Sequence, residues 1–198
     1  MSERKLGWMA VLAVALFWAA LFLFGALRPG YSQMAKAVSE LGALNTPLML
    51  AWNVVGFGLT GLLLMFFGWR LGRIDAPRAW FVPGMLALGG ASFLFSGVFP
   101  ADLQDLRGTA TQLHILASML SLIWLPGALL FAWQRFRDWR EASMVSSVLA
   151  LLFLLSMGLP DSIPRGLTQR VRFAIYLGWA LAMGLLLLRR ARRRRIPA

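Results

Sequence analysis

Six stretches without one charged residue follow one another along the chain, each about as long as a bilayer is thick and separated by short charged loops. A spanning helix needs roughly 20 apolar residues to cross about 30 Å of hydrocarbon. The stretches lie at about residues 6–27, 47–69, 79–100, 109–133, 142–160 and 173–188. They predict an all-α membrane protein: a six-transmembrane-helix bundle forming one domain over residues 1–198, with 189–198 as a basic cytoplasmic tail. The sixth stretch is short, and Arg172 and Arg189 extend it by snorkelling to the interfaces.

At 59% hydrophobic and 14% charged, the chain is far more apolar than a soluble domain. It has no cysteine, which excludes disulfides, thiolate metal sites and cysteine nucleophiles. A net charge of +12 suggests nucleic acid until the positions are read, because the basic residues sit at helix ends and in the tail. No nucleic-acid partner is expected. Ser2-Glu3-Arg4-Lys5 resembles the start of a signal peptide, but the apolar run behind it is too long and no A-x-A site precedes Arg28, so a retained helix is expected.

Orientation follows from the positive-inside rule. Fourteen of the 20 Lys and Arg fall in the N-terminus, the 70–78 and 134–141 loops and the tail, including Arg70, Arg73, Arg78, Arg135 and Arg140. Both termini are therefore expected in the cytoplasm of a cell whose plasma membrane the protein crosses. Trp8, Trp69, Trp80, Trp133 and Trp139 fall at the same ends, where an aromatic belt belongs.

The first outer loop reads as structured. Gly30 makes a turn, Ser32 caps a short helix, and Gly42 ends it. Met34, Val38 and Leu41 then fall on one side at helical spacing, as in a short helix lying in the interface. Thr46-Pro47 reads as an N-cap with proline at the first position of the second span.

Polar groups inside a bilayer are costly, so each is a functional candidate. Asn53, Ser92 and Ser96 belong to the outer half, as do Asp102, His114, Ser118 and Ser121; Asp161, Arg165, Gln169, Arg170 and Arg172 precede the sixth span. The inner half carries no ionisable residue, which argues against ion-coupled transport, where charged groups sit near the midplane. A polar pocket open to the outer leaflet fits better.

Several blocks together resemble a known family. Gly30-Tyr31, Ser39-Glu40-Leu41-Gly42-Ala43 and Asn53 in a glycine-rich helix are similar to the opening of the bacterial and archaeal membrane family catalogued as domain of unknown function 998. Gly97-Val98-Phe99-Pro100-Ala101-Asp102 with Leu113-His114 resembles its G-x-F-P-x-D … H element, and Gly166-Leu167-Thr168-Gln169-Arg170 its G-L-x-Q-R entry to the last helix. The resemblance implies six spans and brings no activity with it. A looser likeness of layout to DRAM-type six-helix proteins points toward lipid handling. Seven-helix hydrolases of the alkaline ceramidase type hold zinc with Ser, Asp and three His; this chain has 1 His and cannot build that site. Glu40, Asp102, Asp105 and Asp161 show no metal spacing, and neither metal nor cofactor is expected.

The expected pocket is lined or braced by Ser39, Glu40, Asn53, Asp102, His114, Gln169 and Arg170. His114 reads either as a general acid–base whose tautomer Asp102 holds, or as a structural pin bonded to a loop carbonyl or to Asn53. Asp102 and Arg170 read as a buried pair, with Arg170 binding a lipid phosphate as the alternative. Ser39 beside Glu40 is a candidate nucleophile or a turn residue, without G-x-S-x-G context. The function expected is binding or modification of a lipid or isoprenoid headgroup, with membrane lipid as the partner and any protein partner open. A non-enzymatic accessory subunit and a small-solute permease are the other readings.

Overall fold

The computed structural model describes residues 1–74 and 81–194. The expected start of the third span, Arg78, Trp80 and Arg195 lie outside them. Six helices are long and apolar enough to cross a membrane: α1 Glu3–Leu27, α2 Met49–Gly72, α3 Phe81–Val98, α4 Thr109–Arg135, α5 Arg140–Met157 and α6 Arg165–Arg193. Among the described residues there is no strand.

Three boundaries differ from the hydropathy reading. Thr46 does not cap α2; its hydroxyl donates to Ala43 O at 2.7 Å, and Leu48, left-handed at φ 62°, starts the helix instead. Proline at position 47 therefore precedes the helix rather than opening it. α6 begins two turns earlier than the uncharged run, directly after Pro164; Gln169 and Arg170 there bond the first loop, and Arg172 Nη2 bonds Ser156 O. It also runs on through the arginines to Arg193, so the first half of the expected tail is helix.

The helices pack in chain order into a closed ring, each against the next and α6 back against α1. The α2–α3 seam is the tightest: a Cβ on Gly90 would lie 2.0 Å from Met65 N, so only glycine permits that approach. Aromatic side chains fill the middle. Phe17, Trp52, Phe67, Trp124, Phe131 and Trp179 are almost fully buried. Phe93 joins α3 to α6 by stacking on Tyr176 with centroids 5.7 Å apart.

Two helices depart from α geometry, α2 near the end of the bundle opposite the termini, called here the far end, and α4 at mid-length. Asn53–Leu59 in α2 is a π segment, and Leu120–Ile123 in α4 is 3-10. Pro126 follows the second, and its missing N–H leaves Leu122 O without its usual partner, which favours a tighter turn there. Below this break α4 packs on α5; above it, Thr109–Met119 rests on α3 and leaves α5. The ring is therefore parted between α4 and α5 at the far end.

Candidate functional site

Two constructions occupy the far end: a polar knot fastening the first loop, and a cavity beneath it. The knot is centred on Arg170. Its Nη2 donates to Tyr31 Oη at 2.7 Å and to Gln33 Oε1 at 2.7 Å, and its Nε to Gln33 Oε1 at 3.1 Å. Nη1 donates to Lys36 O at 2.9 Å and to Gly166 O at 2.8 Å. All five donors of a guanidinium are thus used. Tyr31 donates onward to Ala37 O at 3.0 Å, and its ring faces two guanidiniums, Arg28 at 5.7 Å and Arg170 at 5.8 Å. Burial raises the Tyr31 phenol above 10.0 against the lowering pull of Arg170, which keeps it a neutral donor.

Close backbone approach completes the knot. Gly166 sits where a Cβ would meet Met34 O and Lys36 O at 2.5 Å, and Val38 N donates to Gln169 Oε1 at 2.6 Å. The short helix of the first loop is present as a 3-10 turn, Val38–Gly42, begun by Ala37 N donating to Glu40 Oε1 at 2.9 Å. Pinned this way, the loop turns inward. Val38 and Leu41 are buried while Met34 is 54% exposed, so the three do not share a lipid-facing stripe. Asn53 Nδ2 donates to Gly42 O at 2.8 Å, and a Cβ on Gly42 would stand 1.9 Å from Asn53 Oδ1.

Asp102 meets neither of its expected partners. Its Oδ1 accepts from Gln104 N at 2.9 Å, and Thr111 Oγ1 lies 3.0 Å from both its backbone N and its backbone O. The carboxylate therefore closes its own loop, and both the Asp102–His114 and Asp102–Arg170 pairs are replaced. His114 Nδ1 is 2.8 Å from Phe99 O instead. The reason is local: α3 ends at Val98, the last carbonyls of a helix lack partners, and His114 supplies one.

The cavity holds about 380 Å³, within the range of small-ligand sites. Its lining takes in both sides of the parting, Met119 and Leu122 of α4 and Phe153 and Met157 of α5. On α4 it runs from His114 to Leu122, about 12 Å at the helical rise, and passes Ser118 and Ser121. Its opposite wall is α6, with Gln169, Arg172, Phe173 and Tyr176; Ser92 and Ser96 of α3 lie behind, and Ser39 is at its rim. No Asp or Glu lines it among the described residues. Arg172 Nη2 donates to Ser156 O at 3.2 Å, and its buried Nε has no partner.

Of the seven expected site residues, Ser39, His114 and Gln169 line the cavity. Glu40, Asn53 and Arg170 belong to the knot, and Asp102 to the α3–α4 loop. With Glu40 bonded to Ala37, its carboxylate accepts a backbone proton rather than serving Ser39 as a base. The charged cavity-lining side chain left out of the expected pocket is Arg172, read from sequence mainly as an interfacial anchor. Starting α6 at residue 165 places Gln169, Arg172, Phe173 and Tyr176 at i, i+3, i+4 and i+7 on one face, a spacing that identifies it.

Six apolar helices closed into a ring around an aromatic core define a multi-pass membrane protein. The chain belongs to the family described as "Protein of unknown function (DUF998)", whose sequence model matches residues 11–186. No curated protein and no solved structure matches it. The blocks that carry the family resemblance are largely the knot itself: Tyr31, Glu40, Gly42, Asn53, Gly166, Gln169 and Arg170 fasten loop to helix.

Proposed function

We propose that the protein binds the anionic headgroup of a membrane amphiphile, a lipid or isoprenoid, entering sideways between α4 and α5. The supporting observation is the α6 wall. Arg172 brings a cation with an unpartnered Nε to a cavity without carboxylates. Gln169, whose Oε1 accepts from Val38 N–H, keeps both of its amide donors to offer. Donors and positive charge on one wall suit phosphate or carboxylate oxygens. The orientation adopted places the termini in the cytoplasm and the cavity in the outer leaflet of the plasma membrane, following the distribution of Lys and Arg.

Binding is favoured over catalysis. His114 Nδ1 is engaged by Phe99 O, Asp102 is turned away, and Ser118 and Ser121 donate to backbone carbonyls rather than to the imidazole. The test is thermal unfolding of the detergent-purified protein with added phosphatidylglycerol or phosphatidylcholine. At about 100 times its dissociation constant a ligand stabilises by about 2.7 kcal/mol. Phosphatidylglycerol should raise the melting temperature more than phosphatidylcholine, and Arg172→Gln should remove the difference. Equal shifts from both lipids, or a difference that survives in Arg172→Gln, refute the reading.

A further inference from the structure

We infer that the anionic headgroup taken by the cavity also carries free hydroxyls, as a glycerol- or sugar-phosphate does. This rests on the anion-binding reading above and adds the chemistry of the opposite wall. A carbonyl can only accept, so the contact with Phe99 O puts the ring proton of His114 on Nδ1. In the neutral ring Nε2 then presents a lone pair, and nothing among the described residues donates to it.

The serines around it are arranged the same way. Ser118 Oγ donates to His114 O at 2.9 Å, Ser121 Oγ to Ser118 O at 2.7 Å, and Ser92 Oγ to Gly89 O at 2.7 Å. Back-bonding of this kind uses the hydroxyl proton inside the helix and leaves the oxygen's lone pairs outward. Ser96 and Ser118 share one further bond at 3.2 Å; with the Ser118 proton on His114 O, Ser96 is the donor.

The cavity therefore has two unlike walls. α6 offers donors from Gln169 and Arg172, and the α4 side offers acceptors from His114, Ser118 and Ser121. An anion bearing no donor satisfies the first wall and leaves the second facing its own oxygens, with the buried His114 acceptor unpaired. An ammonium-bearing headgroup supplies donors but brings a second cation beside Arg172 where no carboxylate offsets it. A phosphate with neighbouring hydroxyls matches both walls.

The test compares phosphatidylglycerol, phosphatidylmethanol (equal charge, no hydroxyl) and phosphatidylethanolamine, with affinities read by native mass spectrometry of the intact protein released from micelles. Glycerol 3-phosphate serves as competitor. Phosphatidylglycerol should bind about tenfold tighter than phosphatidylmethanol, since two net hydrogen bonds contribute about that factor. His114→Asn keeps a donor where Nδ1 stands and has no atom where Nε2 stands. It should cost phosphatidylglycerol about threefold and leave phosphatidylmethanol unchanged. Should His114→Asn fail to fold, Ser121→Ala, which removes one acceptor from a partly exposed position, should cost phosphatidylglycerol about threefold and phosphatidylmethanol nothing.

Equal binding of phosphatidylglycerol and phosphatidylmethanol by wild type overturns the hydroxyl inference, while loss of both in Arg172→Gln still upholds anion binding. Preference for phosphatidylethanolamine overturns both. Displacement of the lipid by millimolar glycerol 3-phosphate upholds the hydroxyl chemistry and transfers the site from a lipid to a soluble polyol phosphate.

Discussion

Replacing Arg170 with methionine keeps an unbranched apolar stem and removes every hydrogen bond that the Arg170 side chain makes. Five hydrogen bonds of 2.7–3.1 Å disappear, to Tyr31, Gln33, Lys36 and Gly166. A bond to a charged donor contributes about 1.5–3 kcal/mol when its partner is left dry. The loop is only half buried, so water reaches the freed oxygens and the sum is not reached; the structure supports a loss of about 3 kcal/mol. For a chain of this size that lowers the melting temperature by about 6–12 °C. A local readout accompanies the global one. Lys36 is the only basic residue between Arg28 and Arg70, and its carbonyl is held by Arg170. Trypsin should cut after Lys36 in Arg170→Met and spare it in wild type, with Arg170→Lys intermediate because an ammonium lacks the planar fork. An unchanged melt together with an uncut loop refutes the knot as the fastening of this end. Persistence of the Arg172-dependent lipid effect in Arg170→Met separates the two arginines' roles.

Gly42→Ala should destabilise by about 1–3 kcal/mol in thermal melts, because the added Cβ meets Asn53 Oδ1 at 1.9 Å. Adding Asn53→Ala should recover part of that loss, and strict additivity of the two changes contradicts the contact. Asp102→Asn retains the Oδ1 that accepts Gln104 N, so stability should stay within about 0.5 kcal/mol of wild type. A loss above about 2 kcal/mol in the same melt means instead that the Asp102 charge is paired.

Hydropathy and spacing carry the six spans and their order, since helix length against bilayer thickness is a local property. The family blocks also mark which residues matter at the far end: Gly30-Tyr31, Ser39 to Gly42, Asn53 and Gly166 to Arg170 all lie in or beside the knot. Partners were less legible. Asp102 stands twelve residues before His114 and near Arg170 on the same face of the membrane, yet its carboxylate bonds the N–H groups two and three residues ahead. Short-range bonds of that kind cost little chain entropy and win over long-range charge pairing. His114 went to a helix-end carbonyl because that carbonyl had no other partner.

Arg170 and Arg172 show where the boundary falls. Two residues on a helix are about 200° apart, so sequence alone puts them on opposite faces of α6. What each face meets depends on how α6 closes the ring. One side received the first loop, whose carbonyls absorb the Arg170 guanidinium. The other received the gap left where α4 tightens ahead of Pro126 and parts from α5, and there Arg172 lines the cavity with its buried Nε unpartnered. Local composition determined the helices and the faces. The packing of non-adjacent segments determined which polar face was satisfied from within and which was left for a ligand.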